Sequence, residues 1–204
     1  MSEVIVEAAS PMFLVHLQPV INMSDEEFFD FCQLNRELRI ERTAEGDLLI
    51  MPPVGGETSA RNNELGWQLT RWAKEDGSGA VFDSSCGFVL PNGATRSPDA
   101  AWVQHSRLAV LTPDQKKKFI PLCPDFVIEL RSPSDALKDV KEKMEEYVSQ
   151  GARLGWLFDP FNRRVLVYRP QSPVETIDNA SLLSGDPVLN GFVLDLTPIW
   201  ELSL

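Results

Sequence analysis

The sequence predicts an α/β fold: a mixed β-sheet with helices before and between its strands, preceded by an N-terminal helix and a β-hairpin. Three observations lead there. Asp125-Phe126-Val127-Ile128-Glu129-Leu130 is a short, mostly apolar run, as a central strand covered on both faces requires. Helical periodicity occupies about Glu57–Lys74 and the stretch ending near Gln150, so helices lie between the strands as well as before them. Short strand-like runs flank Glu45-Gly46 and Asp159-Pro160-Phe161-Asn162, which read as hairpin turns.

In chain order, residues 1–22 are expected to form an extended arm, and residues 23–204 one domain. Ser24 with Glu27 is a capping box, and Asp25, Glu26 and Glu27 suit the positive end of a helix that runs to about Asn35 and buries Phe28, Phe31 and Cys32. Arg39–Thr43 and Asp47–Met51 form the first hairpin, and Met51-Pro52-Pro53-Val54-Gly55-Gly56 is a loop. The second helix carries Leu65, Leu69, Trp72 and Ala73 as its apolar stripe and stops at Asp76-Gly77-Ser78-Gly79. Strands are expected at Ala80–Asp83, Gly87–Leu90 and Asp99–Val103, and a short polar helix from Thr112-Pro113 to Lys118. Ser132-Pro133-Ser134-Asp135 is a turn and cap for the third helix, which ends with Gly151 at C′. Strands at Arg153–Phe158 and Arg164–Tyr168 follow, with shorter ones near Glu175–Ile177 and Phe192–Leu196 and a final helical turn.

Composition excludes several classes. Hydrophobic residues make up 43% and charged residues 24%, values that argue against a disordered or fibrous chain. No apolar run approaches the roughly 18 residues of a membrane span, and no secretory signal pattern is seen. Cys32, Cys86 and Cys123 are odd in number and lack ligand spacing, so each is expected as a small packing residue in a reducing, cytoplasmic compartment. Two histidines, His16 and His105, leave little material for a serine triad or a histidine zinc site. No phosphate-loop glycine motif is present, so no nucleotide cofactor is expected. The net charge of −11 argues against a general nucleic-acid binder, but it is uneven: residues 116–169 sum to +3 and the rest to −14.

Three residues carry the chemistry. Asp99 opens a strand behind Ser97-Pro98. Alternation puts Asp125, Val127 and Glu129 on one face of the central strand, and a carboxylate inside a buried strand costs several kcal/mol unless it is paired or binds a metal. Lys143 lies at the edge of the stripe formed by Ala136, Leu137, Val140, Met144, Tyr147 and Val148, on the helix that follows the Glu129 strand. Two carboxylates suit Mg²⁺, which usually takes only one or two from a protein and lowers the pKa of a bound water. A lysine beside them can orient that water or neutralise charge developing on phosphorus. This is a coherent set for phosphodiester hydrolysis, and it needs no histidine.

The ordered series Ser97-Pro98-Asp99, Asp125 to Glu129, Ser132 to Asp135, Lys143 before Tyr147 and Gly151, then Asp159-Pro160 resembles a large, cyanobacteria-rich family classed with the restriction endonucleases, a branch of the PD-(D/E)xK nuclease superfamily. The similarity runs from about Ser24 to Trp200. It implies a restriction-endonuclease-like sheet flanked by helices and Mg²⁺ or Mn²⁺ held by Asp99 and Glu129 with the Leu130 carbonyl. It also implies DNA as substrate and a homodimer able to cut both strands. The superfamily lysine two residues after the glutamate is Arg131 here, so its role passes to Lys143, with Arg131 as a second cation. Glu57 and Glu64 are candidates for a further acidic residue of the first core helix. Two other readings stand beside the nuclease: an idle nuclease fold serving as a binding or regulatory module, and an acidic structural protein. Lys116-Lys117-Lys118 and the five tryptophans read as solvated charge and as core or interface anchors.

Overall fold

A computed structural model describes residues 13–204. Of the N-terminal arm, residues 1–12 lie outside the described part. Phe13–Val15 forms β1, and Ser24 caps α1 (Asp25–Leu34) with the expected capping box. β2 (Arg39–Arg42) and β3 (Leu48–Met51) make the first hairpin, and β1 adds to its β3 edge. α2 (Gly56–Asp76) leads to β4 (Gly79–Asp83), β5 (Phe88–Val89), β6 (Thr95–Arg96) and β7 (Ala100–Gln104). A short α3 (His105–Ala109) precedes β8 (Phe126–Leu130), α4 (Leu137–Ser149), β9 (Leu154–Asp159) and β10 (Arg164–Tyr168). β11 (Glu175–Asp178), β12 (Leu182–Ser184), β13 (Val193–Asp195) and α5 (Thr197–Trp200) complete the chain.

The central sheet has six strands in the order β11-β10-β9-β8-β7-β4. Only β8 and β9 are parallel, because α4 carries the chain back over the sheet between them; the other pairs are antiparallel. Both faces are covered. Phe126, Ile128 and Leu130 pack with Leu65, Leu69 and Ala73 of α2 and with the C-terminal segment, including Phe192 and Ile199. Val127 packs on the opposite face with Met144 and Tyr147 of α4 and with Phe88 and Ile120. This double cover is why β8 and β9 are apolar along their length, and it confirms the alternation expected for β8. A second sheet, β1-β3-β2-β6-β5, rests on α1 through Phe28, Ile40 and Leu48.

Several local expectations shift. Asp135 does not cap α4: its carboxylate accepts from Ser132 N at 2.7 Å and closes the turn, and the helix begins behind Ala136. The polar helix expected from Thr112 contracts to a 3-10 turn at Gln115–Lys117, held by reciprocal Thr112 and Gln115 bonds of 2.9 and 3.2 Å. The Asp99 strand starts one residue later, which leaves Asp99 at its mouth. Trp67 is no core anchor; it is exposed, with Arg71 across its ring. Among the described residues no helix is long and apolar enough to cross a membrane.

Candidate active site

Strand register brings the two expected carboxylates together. Ala100 pairs with Ile128 and Ala101 with Val127, so the next rung sets Asp99 across from Glu129 on the face that α4 covers. Asp99 Oδ2 accepts from Leu130 N at 2.9 Å, which fixes it at the end of β8. Val140, Lys143 and Tyr147 follow at helical spacing on α4. Lys143 Nζ lies 2.8 Å from Glu129 Oε1, and the Tyr147 hydroxyl donates to the same oxygen at 3.0 Å. Asp99, Glu129 and Lys143 all line one cleft of about 380 Å³ between the first hairpin and α4.

The hairpin supplies what sequence reasoning missed. On β2, Ile40 turns to α1, and Arg39 and Glu41 turn to the cleft. Glu41 is buried, 2% exposed, and accepts from Lys143 Nζ at 2.9 Å, Ser97 N at 2.9 Å and Arg96 Nη1 at 3.3 Å. Arg96 reaches on to Glu146 at 2.6 Å, where Asn92 also donates at 2.9 Å. Charges therefore alternate without a break from Glu146 through Arg96, Glu41 and Lys143 to Glu129. Arg39 donates to the Ser97 carbonyl at 3.1 Å and stands 3.5 Å from Asp99 Oδ1. The signal in the sequence was slight: charged residues at 39 and 41, opposite Ile40, read as the wet face of a hairpin.

Burial and like charge push the Glu129 carboxyl up to about 7, with Lys143 opposing and Asp99 and Glu41 adding to the rise. Burial likewise raises Asp99, against the pull of Arg39. For Lys143 burial works against the charge, but Glu129 and Glu41 outweigh it and raise the value. The lysine is thus a lasting cation and a hydrogen-bond donor.

The donor set fits a hard divalent cation. Both bonds to Glu129 named above use Oε1, so Oε2 carries neither of them. Leu130 N faces Asp99, and the residue before Asp99 on that side is Pro98, which has no N–H to offer the Leu130 carbonyl. A cation between the two carboxylates would offset the burial that lifts both of them. Of the groups named here, Arg39 is the one that would compete for Asp99. Among the described residues no cluster of three or more acidic, histidine or cysteine side chains is arranged to hold a metal, so the fit rests on two carboxylates and a carbonyl, as Mg²⁺ accepts.

The other candidates lie elsewhere. Arg131 has left the strand; its guanidinium bonds both Asp159 oxygens at 3.4 Å and covers the Phe161 ring. Glu57 pairs with Arg61 at 3.0 Å in solvent, and Glu64 accepts from Gln68 at 2.9 Å. The inward stripe of α2 runs Thr58, Asn62, Leu65, Leu69, Ala73, so its cleft end presents Thr58 and Asn62 instead of either glutamate.

Comparison with known proteins bears on this site. The family model Uma2, described as "Putative restriction endonuclease", matches residues 25–197. The chain belongs to the Uma2 family. No curated protein matches it. Among solved structures, "a putative nuclease belonging to DUF820" from the cyanobacterium Anabaena variabilis ATCC 29413 is similar over 88% of this chain and 98% of its own, with 22% identity and a TM-score of 0.71. That likeness shows the fold, a restriction-endonuclease-like sheet with flanking helices. The Uma2 match spans the hairpin, Asp99, Glu129 and α4, so the whole cleft lies within the family's region.

Proposed function

We propose that the protein is a metal-dependent DNA endonuclease whose cleft hydrolyses a phosphodiester. The observation that carries this is the placement of Asp99, at the mouth of β7, one rung beyond the Ala100–Ile128 pair and so across from Glu129 of β8, with Lys143 against Glu129. Asp99, Glu129 and the Leu130 carbonyl would hold Mg²⁺ or Mn²⁺. Once bound, such an ion polarises the phosphate and makes water a better nucleophile. Lys143 donates a hydrogen bond from its ammonium, orients the attacking water and neutralises charge gathering on the phosphate. The water oxygen bonds to phosphorus and its protons pass to solvent, one phosphate ester bond breaks, and the departing strand oxygen takes a proton back from solvent. Glu41 and Tyr147 position Lys143 and Glu129 for this. Two copies would suffice to cut both strands of a duplex, and a homodimer belongs to the proposal on that ground.

The test is purified protein with Mg²⁺ or Mn²⁺ on plasmid and on single-stranded DNA, beside Asp99→Ala. Metal-dependent cleavage by the wild type and none by the variant is expected. Equal activity, or none from either, would return the fold to a binding or regulatory role.

A further inference from the structure

The depth of the cleft restricts which DNA can reach the carboxylates. The side chains of Asp99 and Glu129 are only 10% and 8% exposed, and both line a recess the size of a small-ligand pocket. In a duplex each base is stacked and paired away from its phosphate, so only an unpaired nucleotide can bring its phosphate and its base into one such recess. Enzymes that take a base into a pocket act on an unpaired or extruded nucleotide.

The walls have the matching chemistry. Register sets Met51 beside Arg39 and Leu49 beside Glu41 on the hairpin, so an apolar surface stands one strand spacing from the charged one. Pro52 and, from α4, Val140 extend it. A phosphate-binding end and an apolar end therefore share one small recess. Asn62 of α2 lines it as well, and its Oδ1 is buried with no hydrogen-bond partner. A buried acceptor left unmet costs about 1–3 kcal/mol, so an N–H from an occupant would be favoured there. The N–H groups on the pairing edge of a base are engaged in a duplex and available in an unpaired strand.

We propose that the cleft takes one unpaired nucleotide of a DNA strand. Its phosphate lies at Asp99 and Glu129, its base lies against Leu49, Met51 and Val140, and Asn62 Oδ1 accepts from the base edge. The substrate is thus single-stranded or frayed DNA, not the interior of a duplex. This rests on the nuclease reading, with each copy of the proposed homodimer acting on one unpaired strand where a duplex has opened or frayed.

The experiment gives the wild-type protein, with Mn²⁺, one labelled sequence as a single strand, as a blunt duplex and as a duplex with a single-stranded flap. The single strand and the flap are expected to be cut at least ~10-fold faster than the duplex, in line with the energy needed to unpair a base. Duplex cut internally at an equal or greater rate overturns the inference and leaves the nuclease reading standing. If nothing is cut, the nuclease reading fails, and binding of the same oligonucleotides in Ca²⁺ decides: tighter binding of single strands supports the inference, and equal or tighter binding of the duplex overturns it. Asn62→Leu should raise KM for single strands with kcat little changed and with no loss of thermal stability. An unchanged KM removes Asn62 from the site.

Discussion

Replacing Glu41 by glutamine keeps the side chain's shape and removes the charge that Lys143 and Arg96 share. Both cations retain a second carboxylate, Glu129 and Glu146, so the fold should survive with a stability loss of about 3–5 kcal/mol at most, the range for breaking a buried pair. Cleavage should fall by about 10–100-fold, as when groups that orient a metal site's ligands are lost. Denaturant melts beside initial rates check both; full activity would show that Glu41 only fills space. Glu129 supplies the pH prediction. Its carboxyl is raised to about 7 in the folded protein, against 4.5 for an ordinary glutamate. Between those values the folded state keeps a proton that the unfolded chain has lost, so this group makes the metal-free protein less stable as pH rises through that window. A divalent ion must displace that proton, so binding at pH 6 should release about one proton and binding above pH 8 none. Titration calorimetry in buffers of different ionisation heat measures this.

The elements explain how much was readable. Alternation along β8 and helical spacing on α4 fix the facing of Glu129 and Lys143, and both follow from local sequence. Asp99 joins them because β7 and β8 pair in a register that the sequence does not state. Glu41 and Arg39 lay out of reach for a different reason. They sit on a two-stranded hairpin whose charged face looks solvated until α4, 102 residues further along the chain, closes over it. The resemblance points to Arg131, Glu57 and Glu64; strand exit and the phase of α2 decide where they lie. At the start of β4, Gly79 lies against Trp102 of β7, and a Cβ there would meet the indole at 2.3 Å. The ring is packed in the core and cannot step aside, so Gly79→Ala should lower stability by about 1–3 kcal/mol. An unchanged thermal midpoint would show that the β4–β7 edge is looser than described.

At the scale of the whole molecule the charge of −11 divides into a mildly basic segment, residues 116–169, that contains Glu129 and Lys143, and an acidic remainder. The acidic remainder also reaches the cleft, through Glu41 and Asp99. DNA affinity should therefore be weak, with a Kd near 10⁻⁴–10⁻⁶ M at physiological salt, and should fall steeply with added salt. Anisotropy of labelled DNA across a salt series reads the slope; salt-independent binding would point to a contact surface other than the one proposed. Metal binding is a narrower matter than affinity: Asp99 at the mouth of β7 and Glu129 of β8 are proposed to form one metal site. Anomalous diffraction from crystals soaked in Mn²⁺ tests it directly. One peak is expected between Asp99 and Glu129, about 2.0–2.3 Å from an oxygen of each. An empty cleft at millimolar Mn²⁺, or a peak on Glu57 or Glu64 instead, would contradict it.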